Sequence, residues 1–302
     1  MEVREGMNIL FLTTGSGRNK FAKSLCKEAY RLGHKGYTYY CTSIDLAFSN
    51  HPEWTPQNLI IHPRAANPGA WWMQRLEELE GKGYKVINST KVLRLTSDKW
   101  ESIKILSGIG NIPQTYLYDK DLDEFRDIYG DILNAHDVWF LLDEDYSEMV
   151  LKPRISQGQG KHVIRLSIDH LEDGTFKQEA KKIPGRLIIV QGFLTVHSIY
   201  RVFCFNGNSA KMVTVDFPSE DNWKVSVCLN KNQNVDGADE NKDIVEFAEE
   251  IQRKIGGKVN FIDVFWTDNG AALSEVNTAC NLSIHTKLTG LNLSKMIVEA
   301  LL

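Results

Sequence analysis

Apolar residues fall in short runs separated by turn signals, and their period switches repeatedly between that of a strand and that of a helix. Residues 7–12 form a continuous apolar run of the kind a buried strand needs. A Gly-containing loop follows over 13–17. Phe21, Leu25, Cys26, Ala29 and Leu32 then recur at helical spacing until Gly33 stops the helix. Residues 37–41 and 59–61 read as strands, 71–80 as a helix and 84–88 as a short strand, an alternation that predicts a small α/β layer with a parallel sheet. Thr96-Ser97-Asp98 caps a helix carrying Ile103, Ile105 and Leu106. Strands are expected at 149–153, from Val163, at 186–194 and at 198–205, the last with Arg201 on the face opposite Tyr200 and Val202. Residues 244–255 have helical spacing and end at Gly256-Gly257. Residues 293–302 close as an amphipathic helix.

The most informative stretch lies near the end. Residues 261–265 and 272–277 flank the turn Thr267-Asp268-Asn269-Gly270, so they read as a β-hairpin. Asp263 is the one acid in the first run. Glu275 and Asn277 are two apart and share a face. Three oxygen ligands without His or Cys suit Mg²⁺, which is held by one or two carboxylates plus nucleotide phosphates. An ordinary half-buried hairpin with polar residues is the competing reading. A second chemical signal lies at 149–163. Here an apolar strand ends in Lys152, a Ser/Gly loop follows (Ser156, Gly158, Gly160), and a strand returns. Glycines let backbone N–H groups turn toward an anion, and the lysine adds a point charge for phosphate. No Gly-Lys-Ser/Thr follows, so the loop is not of the Walker type. The first loop, with Lys20 where a third glycine belongs, is a poor dinucleotide site.

Composition narrows the picture modestly. The chain has 302 residues, room for two or three lobes, and its formal net charge of -4 exerts no general pull toward nucleic acid or membrane. Five scattered cysteines without Cys-x-x-Cys spacing fit reduced thiols in a cytoplasmic setting. No apolar run reaches membrane length, and the first residues lack an apolar signal core. Arg64, after Pro63, reads either as a substrate contact or as a solvated loop charge. Trp71 and Trp72 read as packing, and the acidic run 236–243 as a solvated loop.

Taken in order, Pro63-Arg64, Gly83 with 86–88, Ser97-Asp98-Lys99, Ile112-Pro113 with Thr115, residues 150–153 with the Gly158/Gly160 loop, residues 191–194, Arg201-Val202-Phe203, Asp263…Glu275-Val276-Asn277 and residues 289–293 resemble the ATP-grasp superfamily. The nearest branch is the RimK type, related to glutathione synthetase, and the resemblance covers nearly the whole chain. It implies an α/β (α+β) ATP-grasp fold. A small Rossmann-like lobe (1–95) would precede two α+β lobes (96–185 and 186–302) that clasp ATP. It further implies that Lys99 and Lys152 contact ATP phosphates and that the Ser156–Gly158–Gly160 loop closes over them. Gln191, Gly192, Phe193 and Leu194 would form the adenine hinge. Asp263, Glu275 and Asn277 would hold Mg²⁺, as two ions, with Mn²⁺ as a substitute. Arg201 would stabilise an acyl phosphate and the tetrahedral intermediate, and Lys224 is a weaker candidate cation. The implied activity is ATP-dependent ligation of a carboxylate to an amine, releasing ADP and phosphate. The substrate would be an amino acid, a small peptide or a peptide or protein tail. No nucleic acid or membrane partner is expected, and a homo-oligomer is compatible.

Departures from the family pattern touch specific positions. Gly192 stands where the hinge carries an acid. Ile199 stands where an Asp serves the ribose, with His197 or Ser198 as substitutes. The expected arginine-rich strand gives way to 212–215, and Cys280-Asn281 replace Pro-Gly. These losses motivate the alternative of a non-catalytic or regulatory ATP-binding protein; the intact oxygen trio argues for an enzyme.

Overall fold

The computed structural model describes residues 6–14, 20–64, 69–155, 162–215, 242–280 and 282–302. Expectations placed on Ser156, Gly158, Gly160, Lys224, residues 15–17 of the first loop and most of the acidic run 236–243 lie outside the described residues.

The first part builds one parallel sheet. Its elements are β1 (Asn8–Thr13), α1 (Lys20–Arg31), β2 (Lys35–Tyr40), α2 (Ile44–Asn50), β3 (Leu59–Pro63), α3 (Trp71–Gly81), β4 (Lys85–Val86) and α4 (Thr90–Ser97). The order is β2-β1-β3-β4, with every pair parallel. β1 and β3 are buried throughout, as continuous apolar runs covered on both faces must be. Trp72 is buried, matching its reading as packing, whereas Trp71 is half exposed. The short helices α2 and α4 are additions to the elements expected from sequence.

The middle part begins with α5 (Lys99–Leu106), capped by Asp98, whose side chain accepts from the Trp100 and Glu101 N–H groups. Then follow β5 (Thr115–Asp119), β6 (Glu124–Arg126), β7 (Ile132–Leu133), α6 (Ala135–Asp143), β8 (Glu148–Pro153), β9 (Ile164–Ser167), α7 (Thr175–Lys181) and β10 (Leu187–Gly192). They form an antiparallel sheet ordered β7-β6-β5-β10-β8-β9. β10 thus lies inside this sheet, between β5 and β8.

The last part contains β11 (Ser198–Phe205), β12 (Asn208–Val215), α8 (Lys242–Ile255), β13 (Val259–Thr267), β14 (Gly270–Asn277), α9 (Leu282–Thr289) and α10 (Leu293–Leu301). Its antiparallel sheet runs β12-β11-β13-β14. One face packs on α8 through Val202, Ile262 and Val276. The other face presents Phe203 and Phe261 to a core shared with Ile9, Phe11 and Ile60 of the first sheet and Ile297 and Leu301 of α10. The first and last parts are therefore fused by one apolar core. α5 reaches both remaining sheets, with Trp100 against Leu117 and Ile189 and with Leu106 in the α8 cluster.

No helix among the described residues is long and apolar enough to cross a membrane.

Candidate active site

The expected hairpin forms, with Gly270 at φ +90 closing its turn. Its register carries the chemistry. The turn pairs Thr267 with Gly270 and Val264 with Leu273, so an uninterrupted ladder would set Asp263 opposite Ser274 and send Glu275 to the other face. A β-bulge between Asp263 and Val264 instead places Glu275 directly across from Asp263. On the other side Asp263 pairs with Arg201 of β11. Arg201, Asp263 and Glu275 thus form one row across three strands, with Asn277 two residues further along the same face.

Arg201 binds Asp263 in bidentate fashion, Nε to Oδ1 and Nη2 to Oδ2, both at 2.6 Å, and both residues are 6% exposed. Asn277 Nδ2 also donates to Asp263 Oδ2 at 3.3 Å. Burial pushes the Asp263 carboxyl above its usual range, and Arg201 opposes that shift. Arg201 Nη1 also stands 3.4 Å from Nε2 of His285, which lies edge-on to Phe203. Burial, then Arg201, push His285 down to about 3, so it is a neutral imidazole. Because an arginine can only donate, Nε2 is the acceptor and Nδ1 carries the proton. Among the described residues, Nδ1 is buried without a hydrogen-bond partner. His285 was not among the expected site residues. The polar His285 and Thr289 sit on the buried side of α9, so apolar periodicity does not reveal that helix.

The two lysines come together from separate elements. β8 alternates, turning Met149 and Leu151 into the central core and Lys152 to the opposite face. Lys152 Nζ donates to Gln191 Oε1 at 2.6 Å, and Gln191 Nε2 donates to Thr115 Oγ1 at 2.7 Å. The Gln191 side chain, expected in the hinge, therefore orients Lys152. Lys99 opens α5, and its N–H donates to Arg154 O at 3.0 Å. Arg154 Nη2 pairs with Asp98 at 2.7 Å and Glu101 at 3.3 Å, fastening the start of α5 to the end of β8. Lys99 Nζ lies 3.4 Å from Glu275 Oε1. Burial first, and Lys99 second, push Lys152 down to about 8, with Glu275 opposing. Lys99, Lys152, Glu275, Thr96 and Ser102 line one open cleft.

The residues expected to form the hinge follow at the end of β10. Gly192 N donates to Gln114 O at 3.0 Å and Phe193 N to Glu148 O at 2.9 Å. The Arg165 guanidinium stacks over the Phe193 ring at 4.0 Å. A Cβ on Gly192 would meet the Tyr146 ring at 2.6 Å, so Tyr146 fills the space an acidic side chain would need. His197 pairs with Asp268 at 2.7 Å, at the exposed end of the last sheet. Arg64 is no solvated loop charge: its Nη2 donates to Cys280 O at 2.9 Å, and burial lowers its pKa.

Among the described residues no three His, Cys, Asp or Glu side chains gather closely enough to hold a metal ion by themselves. An ion beside Glu275 would thus draw on the Asn277 amide and on outside oxygens such as phosphate. That all-oxygen donor set fits Mg²⁺.

No protein-family model matches the sequence, and no curated protein matches it. Solved structures match along the whole chain. The ATP-grasp ligase PsnB, complexed with a phosphomimetic variant of minimal precursor, Mg and ADP, is 12% identical over 98% of both chains, with a TM-score of 0.66. The RimK domain protein ATP-grasp from Sphaerobacter thermophilus DSM 20745 is 15% identical over 97% of this chain and 98% of its own, also at 0.66. The D-cycloserine synthetase DcsG is 16% identical over 97% and 100%, at 0.63. The chain has the ATP-grasp fold, carried by a sequence that diverges widely from these structures.

Proposed function

We propose that the protein is an ATP-dependent carboxylate–amine ligase acting through an acyl phosphate. The observation that carries this reading is that Lys99, Lys152 and Glu275 line one cleft, with Asp263 paired across the ladder from Glu275 and Asn277 on the same face. In this reading Lys99 and Lys152 bind the β- and γ-phosphates, aided by the Ser156–Gly160 loop, and the 191–194 segment receives the adenine. Glu275, Asn277 and Asp263 would hold Mg²⁺, which when bound neutralises phosphate charge. A substrate carboxylate oxygen attacks the γ-phosphorus and ADP leaves. The amine nitrogen then attacks the acyl carbon, phosphate leaves, and the nitrogen loses its proton. Both steps build negative charge on oxygen, which fixed cations at Lys152 and Arg201 lower in energy, with Lys224 as a further cation. No side-chain nucleophile is required, so the cysteines are spectators. PsnB is found complexed with a precursor peptide and DcsG is a D-cycloserine synthetase, which supports an amino acid, a small peptide or a peptide or protein tail as the substrate here.

The test is product analysis. The protein is incubated with ATP, Mg²⁺, free amino acids and a peptide extract. ADP release is scored against AMP, and mass spectrometry searches for condensation with loss of water. ADP with a condensed product is expected. AMP in place of ADP would overturn the acyl-phosphate route.

A further inference from the structure

Each carboxylate of the proposed metal site already carries a protein cation. Arg201 covers both oxygens of Asp263, and Lys99 stands on Glu275. The two pairs differ in how readily they exchange. Arg201 and Asp263 have side chains only 7% and 9% exposed, whereas Lys99 and Glu275 are 18% and 28% exposed at the cleft. Withdrawing one partner from a buried pair strands a desolvated charge, while a partly exposed pair is held only weakly and separates readily. Glu275 is therefore the carboxylate that can be uncovered.

A divalent cation arriving alone would meet Glu275 beside two ammonium groups, with Asp263 chelated and no third carboxylate at hand among the described residues. A polyphosphate changes the first and the last of these conditions while Asp263 stays chelated. It draws Lys99 and Lys152 to its own oxygens, which exposes Glu275, and it supplies further oxygen ligands. We propose that Lys99 is the resident counter-cation of Glu275, and that a divalent cation enters this site only together with a polyphosphate that takes Lys99 away. This deepens the ligase reading and rests on its nucleotide site. Linkage makes the coupling reciprocal: whatever factor the nucleotide adds to metal affinity, the metal adds to nucleotide affinity.

The test follows the electron paramagnetic resonance signal of free Mn²⁺ as it is titrated with intact protein. Without nucleotide, wild type is expected to leave the signal as it is in buffer. K99M should bind Mn²⁺ at least about tenfold more tightly than wild type, and K99M/E275Q should lose that gain. K99Q makes the same comparison with a polar side chain. ADP added to wild type should bring Mn²⁺ onto the protein. Nucleotide-free wild type binding Mn²⁺ as tightly as K99M and K99Q would overturn the proposal. So would a gain that survives in K99M/E275Q, because the ion would then lie elsewhere. If ADP bound to none of these proteins, the ligase reading would fail, yet the nucleotide-free comparison would still decide the role of Lys99.

Discussion

Replacing Arg201 with Met tests the buried row at its centre. The guanidinium makes both short bonds to Asp263, and neither residue is open to solvent. In R201M the Asp263 charge stays buried with the Asn277 amide as its donor among the described residues. Stranding one member of a buried pair costs about 3–5 kcal/mol, a large share of a stability of about 5–15 kcal/mol. With a urea slope of about 3 kcal/mol per molar, the unfolding midpoint should fall by roughly 1–1.7 M, read by tryptophan fluorescence. Acidity should narrow the deficit. Burial already raises the folded-state pKa of Asp263, and losing the arginine raises it further. A raised folded-state pKa gives stability that is present below the unfolded value and lost as pH rises through the folded one. R201M should therefore lie closest to wild type at acidic pH and furthest from it near neutrality. R201M/D263L, which removes both charges, should recover most of the loss. A cost below about 1 kcal/mol, a deficit that ignores pH, or single losses that merely add in the double variant would refute the reasoning.

Three further outcomes are expected. K152M should weaken ADP binding by at least about tenfold in calorimetry; in wild type that affinity should decline as pH rises through about 8, where Lys152 loses its proton, and K152M should lack this decline. Deleting Ser274 should remove the bulge while leaving Glu275 opposite Asp263, because Glu275 then takes the slot that a regular ladder gives the residue after Leu273; Mn²⁺ binding in the presence of ADP should therefore persist, as it should in S274G. G192A should cost about 1–3 kcal/mol in urea unfolding by driving a methyl into the Tyr146 ring, and Y146A should relieve much of that cost in the double variant.

Much of this site is legible in sequence because its signals are local. The Asn-Gly turn announces the hairpin, and Asp98 announces the start of α5. The alternation of β8 sets Lys152 apart from Met149 and Leu151. What escapes local reading is set by distant strands. Sequence parity alone places Glu275 opposite to Asp263, and only the bulge reverses this. Gln191 meets Lys152 because β10 is inserted between β5 and β8, a sheet order that no neighbouring residue encodes. α4 and α9 bury Thr90, Thr96, Ser97, His285 and Thr289, so their inward faces do not look apolar. The same lack of an apolar signature hid His285, which is held by its contact with Arg201 across the sheet.

Helix α5 is fastened at both ends. Its start is tied to β8 by the Asp98–Arg154 pair and the Lys99 N–H. Just past its end, Asn111 bridges to Ala272 of β14 and accepts from Leu273 N at 3.2 Å. Eight helical residues make a rod of about 12 Å, and a hydrogen-bonded helix does not stretch. α5 therefore works as a tie-rod between the lysine strand and the carboxylate hairpin. It sets the span between the end of β8 and β14, the two strands from which Lys152 and Glu275 face the cleft.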